Sequence, residues 1–147
     1  MKGSELEAYV FVSPECPISE AILLNLKQLD STYSDSVLLI KLVVPGKLYS
    51  DFEIDSFRRV NNLQFELIKD SNAVLVKRFG ASITPEVFLI KDKELLYSGA
   101  IDDRALDNDI IRQSAKNFYL RDAIELTLKN KKISLKKTEA IGCYIEL

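Results

Sequence analysis

Val10-Phe11-Val12-Ser13-Pro14-Glu15-Cys16-Pro17-Ile18-Ser19 runs from an apolar stretch through two prolines into a helical pattern. Upstream, Glu7 to Val12 alternates poorly and is largely apolar from Ala8 onward, as expected of a strand covered on both faces. Downstream, Ile18, Ala21, Ile22, Leu26 and Leu29 recur at helical spacing, which predicts one helix from Pro17 to Leu29. Cys16 therefore stands at a strand-to-helix junction. The free backbone N–H groups and partial positive charge of a helix N-terminus can stabilise a thiolate there. A second proline, in Ser82-Ile83-Thr84-Pro85-Glu86-Val87-Phe88-Leu89-Ile90, is poised at the start of another apolar strand.

Between and beyond these two stretches the pattern alternates. Val37 to Val44 is short and β-branched and closes at Pro45-Gly46, so it reads as a central strand. Asp51 to Asn61 carries Phe52, Ile54, Phe57 and Val60 in a helical pattern. Phe65 to Ile68 reads as a short strand, and Asp70 or Ser71 can cap a helix through Ala73, Val74, Val76 and Phe79 that Gly80 ends. Val87 to Ile90 and Leu95 to Tyr97 form a hairpin across Lys91-Asp92-Lys93-Glu94. Ile101 to Phe118 is polar and without periodicity, Tyr119 to Leu128 is a helix, and Lys129 to Leu147 shows nothing regular beyond Ile133 to Leu135. Alternating strands and helices imply parallel crossovers, and the hairpin adds an antiparallel edge. The expected fold is α/β, a mixed central sheet between helices in three α/β/α layers, with residues 1–147 as a single domain: a core over about 1–128 and a C-terminal tail over 129–147.

Composition narrows the chemistry. The 147 residues carry a net charge of −2, which gives no electrostatic reason to expect a nucleic-acid partner. There is no histidine, so Ser-His-Asp and Cys-His hydrolysis and histidine metal sites are excluded. No stretch approaches the roughly 20 apolar residues that span a bilayer. The chain as written reads as soluble and cytoplasmic by default, while an exported domain whose leader has been removed fits as well. Two cysteines, Cys16 and Cys143, suit either compartment.

With these residues in view, the chain resembles the thioredoxin-like superfamily, on the branch of TlpA/ResA-type thioredoxins and AhpC/TSA-type redoxins. Ser13-Pro14-Glu15-Cys16-Pro17-Ile18-Ser19 and Ile83-Thr84-Pro85-Glu86-Val87-Phe88-Leu89-Ile90 carry the resemblance. Tyr97-Ser98-Gly99-Ala100-Ile101-Asp102-Asp103-Arg104, Leu120-Arg121-Asp122-Ala123 and Glu139-Ala140-Ile141-Gly142-Cys143 extend it to uncharacterised bacterial redoxin-like proteins. The resemblance implies a thioredoxin-like fold and thiol–disulfide exchange, or thiol-based peroxide reduction of an antioxidant kind, at Cys16. It implies that Pro85 is a cis-proline facing that thiol, with Thr84 offering backbone groups to an extended substrate and Pro17 beside them. The alternative reading of Pro85 is a trans proline opening a strand.

Set against that family, the site is depleted. Cys16-Pro17-Ile18-Ser19 has a hydroxyl where the second thiol of Cys-x-x-Cys would be, so Ser19 can donate a hydrogen bond but cannot close a disulfide. Ser13 keeps the hydroxyl of the peroxiredoxin pattern, yet Tyr9 replaces its proline and Glu86 its arginine. Glu15 and Glu86 are expected to repel a Cys16 thiolate and offset the helix terminus. Arg104 is expected at the solvated surface, as are Asp102, Asp103, Asp107 and Asp109 and the lysines of the tail.

Cys143 has three readings: a resolving thiol for Cys16, one end of a permanent bridge, or an unpaired cysteine. A bridge closing so long a loop stabilises by about 5 kcal/mol in the chain-entropy model. No cofactor and no metal site is indicated, although two thiolates suit Cu(I) in a chaperone-like role. The expected partners are an external dithiol reductant and an oxidised protein or peroxide. The rival is a redox-idle module that holds an extended peptide beside Pro85.

Overall fold

A strand can lie at the centre of a sheet only if both faces are apolar, and the first strand meets that condition. In the computed structural model, which describes residues 6–33, 37–107 and 110–147, β1 (Leu6–Phe11) sends Leu6, Ala8 and Val10 to one core cluster and Tyr9 and Phe11 to another. It pairs in parallel with β2 (Leu38–Pro45) and antiparallel with β5 (Glu86–Lys91). With β3 (Glu66–Asp70) beyond β2 and β6 (Glu94–Gly99) beyond β5, the sheet order is β3-β2-β1-β5-β6. The fold is a mixed α/β sheet, as the alternation predicts.

Helices cover both sides. The larger cluster takes Leu26 from α2 (Leu23–Tyr33), Ile54 and Phe57 from α3 (Asp51–Val60), and Leu120 and Ile124 from α5 (Tyr119–Leu128). The smaller one takes Val76 and Phe79 from α4 (Val74–Phe79), whose Phe79 ring lies 5.3 Å from Phe88 and 4.9 Å from Tyr9. Asp70 caps α4, its carboxylate accepting the N–H groups of Leu75 and Val76 at 3.0 Å each. Gly80 ends that helix in the left-handed region at φ 73°. The hairpin turn has positive φ at both Asp92 and Lys93, which matches the twist of a two-residue connection. Among the described residues, no helix is long and apolar enough to cross a membrane.

Three expectations need correction. The helix foreseen from Pro17 to Leu29 is two helices, α1 (Pro17–Ala21) and α2, broken at Ile22. The reason lies across the fold: Arg104 Nη1 donates to the Ala21 carbonyl at 2.7 Å, taking an acceptor that a straight helix would use internally. Arg104 is thus not a solvated surface residue, and it also lies 3.7 Å from Asp102.

Nor is the acidic run simply solvated. Asp102 is buried and accepts from Asn25 Nδ2 at 2.8 Å and from the Arg104 N–H at 2.9 Å. Asp103 accepts from the N–H groups of Lys116 and Asn117, at 2.7 and 3.0 Å, and from Asn117 Nδ2 at 2.7 Å. It thereby ties together a loop with no periodicity of its own. Asp107 accepts from the Ile110 N–H at 3.0 Å, and Asp109 lies outside the described residues.

The tail, third, does more than trail. Ile133 and Ala140 are buried, Thr138 receives the Ala100 N–H and contacts the Tyr97 hydroxyl, and Cys143–Tyr144 forms β7 against β4 (Ile83–Thr84). Gly99, at φ 132°, is needed where a Cβ would strike the Thr138 carbonyl.

Asp103 offers a test of the loop. Burial pushes its carboxyl up, but the hydrogen bonds from Asn117 and Lys116 and the nearby Arg112 charge outweigh that and hold it at about 2. A depressed carboxyl stabilises above its unfolded value of about 3.9 and loses that contribution as pH falls toward the folded value. Asp103→Ala is expected to cost about 1–3 kcal/mol at neutral pH in denaturant unfolding, with the difference from the parent shrinking as pH drops from about 4 toward 2.

Candidate active site

Cys16 is the N-cap of α1, extended at φ −87° and ψ 117°, with Pro17 at the first helical position. Proline fits there because its missing N–H is one that the helix leaves unpaired anyway. The Cys16 N–H donates to the Ser13 carbonyl at 3.0 Å, closing the turn that aims the side chain inward, and the residue is 2% exposed. Its thiol donates to the Thr84 carbonyl at 3.4 Å. The Thr84–Pro85 peptide is cis. Thr84 is fully buried, and its hydroxyl donates to Ser13 Oγ at 3.0 Å and lies 3.5 Å from the Cys143 carbonyl.

The tail strand brings the second thiol. β7 runs antiparallel to β4, with Cys143 opposite Thr84 and Tyr144 opposite Ile83, and the Ile145 N–H donates to the Ser82 carbonyl at 2.9 Å. Gly142 makes this approach possible, since a Cβ there would fall on the Thr84 carbonyl oxygen. As a result Cys143 Sγ donates to Cys16 Sγ at 2.9 Å, and both cysteines are free thiols. Cys16, Cys143, Ser13, Ser19, Thr84 and Pro85 therefore form one cluster. Pro17 sits beside it on the exposed side.

The two thiols hold their protons very differently. Burial pushes the Cys16 thiol up, but hydrogen bonds from the Cys143 S–H, from the backbone and hydroxyl of Ser19 and from the backbone of Ile18 bring it below its ordinary value. Burial raises Cys143, and the hydrogen bond it gives to Cys16 together with the charge of that sulfur carries it to about 11. The hydrogen-bond proton is shared unequally, and Cys16 is the more acidic thiol of the pair. The expected offset by Glu15 and Glu86 does not arise. Glu86 is turned to the N–H groups of Ser82 and Ile83 at 3.0 and 3.3 Å, and Glu15 is exposed, 3.5 Å from the Tyr49 hydroxyl.

No protein-family model matches the sequence, and no curated protein does. Solved structures do match. A hypothetical protein from Sinorhizobium meliloti superposes with a TM-score of 0.84 at 24% identity, over 98% of this chain and 80% of its own. An uncharacterized conserved protein from Geobacillus kaustophilus gives 0.86 at 20% identity, over 99% and 79%. A thioredoxin-like protein solved in its oxidized form gives 0.60 at 12% identity, over 90% and 83%. The chain has the thioredoxin-like fold.

Sequence reasoning overlooked several parts of this site. Tyr49, at the entrance to α3, lines the hollow over the two sulfurs together with Leu48, Glu15 and Glu146. Its position follows from the β2–α3 turn and carries no local signature. Gly142 could have been noticed, because a glycine beside a cysteine in Ile141-Gly142-Cys143-Tyr144-Ile145 marks a place where backbone comes close. Asn25, buried on α2 and joined to Asp102, anchors the Arg104 loop and had no sequence signal.

Removing the Cys143 proton donor should raise the pH at which Cys16 becomes a thiolate. Cys143→Ala is accordingly expected to move the pH midpoint of Cys16 alkylation upward, and Gly142→Ala to move it in the same direction by lifting β7 off Thr84. An unchanged midpoint in both variants would contradict the proton sharing described here.

Proposed function

We propose that the protein is a thiol–disulfide oxidoreductase that works through Cys16 and Cys143 and needs no bound cofactor. The 2.9 Å contact between a buried thiol shifted below its ordinary value and a neighbour on a separate strand shifted above it carries this reading. The Cys16 thiolate attacks one sulfur of a substrate disulfide, forming a mixed disulfide and expelling the other sulfur as a thiolate. Cys143 then loses its proton and attacks Cys16 Sγ, forming the Cys16–Cys143 disulfide, and the second substrate thiolate leaves and takes up a proton. The substrate gains two electrons and the thiol pair loses two, to be restored by an external dithiol.

The high proton affinity of Cys143 does not obstruct this order of events. Once Cys16 Sγ is bonded to substrate it has no charge, so both the repulsion and the hydrogen bond that raise Cys143 disappear. Cys143 becomes the better nucleophile at the step that needs it. Ser19 keeps the role of hydrogen-bond donor to the Cys16 thiolate, and Ser13 and Thr84 hold the loop that carries the acceptor carbonyl.

Two other readings are less well supported. For a peptide-holding module, the edge of β4 beside Pro85 would have to be open, and β7 of the chain itself lies there. For peroxide reduction, a cation beside the thiolate would be wanted, and among the described residues neither lysine nor arginine lines the hollow over the sulfurs.

Intact mass after mild oxidation tests the proposal. The parent chain is expected to lose two hydrogens reversibly, Cys16→Ser to be inert, and Cys143→Ser to stop at a stable adduct of Cys16 with half of a small disulfide. Absence of a reversible Cys16–Cys143 bond in the parent chain would overturn it. Peroxide consumption by the parent chain equal to its disulfide turnover would shift the assignment to peroxide reduction.

A further inference from the structure

Beside the thiol pair the surface is apolar and acidic at once. The hollow over the sulfurs, about 220 Å³, is bordered by Leu48 and Tyr144, which are 58% and 78% exposed, and by Glu15 and Glu146. Glu15 and Tyr49 also line a second hollow of about 280 Å³ along α3, so the two adjoin at these side chains. Its floor is made by Phe52, Ser56 and Val60, spaced four residues apart on one stripe of α3. Phe52 and Val60 are 74% and 77% exposed, while Ile54 and Phe57 turn inward and fill the core. The core does not need the outer stripe. Large apolar side chains left in water beside a reactive group mark a contact surface.

Charge says what would cover it. Glu15, Glu20, Glu53 and Glu146 border the trough, and among the described residues no lysine or arginine lines either hollow. Arg58 and Arg59, on the same helix, are turned to Asp55 instead. A cationic segment approaching along α3 would find carboxylates at each step. A positive charge near Glu15 would also sit beside the sulfur that must become negative to react.

We infer that the trough from Val60 to Cys16 docks the substrate itself: a basic polypeptide segment bearing the disulfide, with an apolar side chain seated on Phe52 and Val60 and a lysine or arginine facing Glu15. This names the substrate class of the reading above and rests on it. In the docked complex the Cys16 thiolate attacks the segment's sulfur, the Cys16–peptide disulfide forms, and the former partner sulfur departs as a thiolate.

The test uses the reduced full-length chain and short peptides whose single cysteine carries a thiopyridyl group, the release of thiopyridone being followed by absorbance. One peptide places lysine and leucine near the cysteine, a second replaces lysine by glutamate, and a third replaces leucine by glycine. The neutral dithiodipyridine serves as a small disulfide. The lysine–leucine peptide is expected to react with Cys16 about 10-fold faster than the glutamate peptide at low salt, with the ratio collapsing at high salt. Glu15→Gln is expected to reduce the lysine-to-glutamate rate ratio, and Phe52→Ser the leucine-to-glycine ratio.

Equal rates for all peptides, with dithiodipyridine still reacting at Cys16, would overturn the docking surface and leave the redox reading standing. No reaction of Cys16 with either peptides or dithiodipyridine would overturn both.

Discussion

Thr84 is the residue on which the site is assembled. It is fully buried, and each of its polar groups is used across a long stretch of chain: the carbonyl accepts the Cys16 thiol, the hydroxyl donates to Ser13, and the backbone pairs with Cys143. A buried backbone group left without a partner is costly, so a short strand at this depth needs something on its open side. β7 supplies it. The second thiol thus reaches Cys16 by satisfying an edge rather than by forming a core of its own.

Glycine sets how close that approach can be. Gly142 lies against the Thr84 carbonyl where no side chain fits, and Gly99 lies against Thr138 in the same way further up the tail. These two contacts hold the C-terminal segment over β4 and β6. With the segment there, the low proton affinity of Cys16 depends chiefly on two donors of different origin, one from Cys143 and one from Ser19 in its own helix. The serine that prevents a local disulfide therefore still serves the thiolate, and the cysteine that could close one arrives from the other end of the chain.

Much of the fold was legible because periodicity reports burial within an element. The unbroken apolar run of β1, the spacing in α3 and α5, and the polar turn between β5 and β6 each reflect a local geometric need. The break at Ile22 was not legible, because its cause is the Arg104 guanidinium on the Ala21 carbonyl. The acidic loop misled for a related reason: Asp102 and Asp103 look like solvated charge until their donors, Asn25, Lys116 and Asn117, are brought to them.

By itself the sequence determined the alternation of strands and helices, the thiol at the end of the first strand, the loss of a nearby resolving cysteine at Ser19, and the proline after Thr84. Each of these is decided by residues close to it in the chain. Only the tertiary structure decided which partner Cys16 has, which of the two thiols is the more acidic, and where Glu86 and Arg104 turn their charges. Cys16 and Cys143 are separated by 127 positions, and what joins them is the fit of one glycine against one carbonyl, a close approach that no local pattern records.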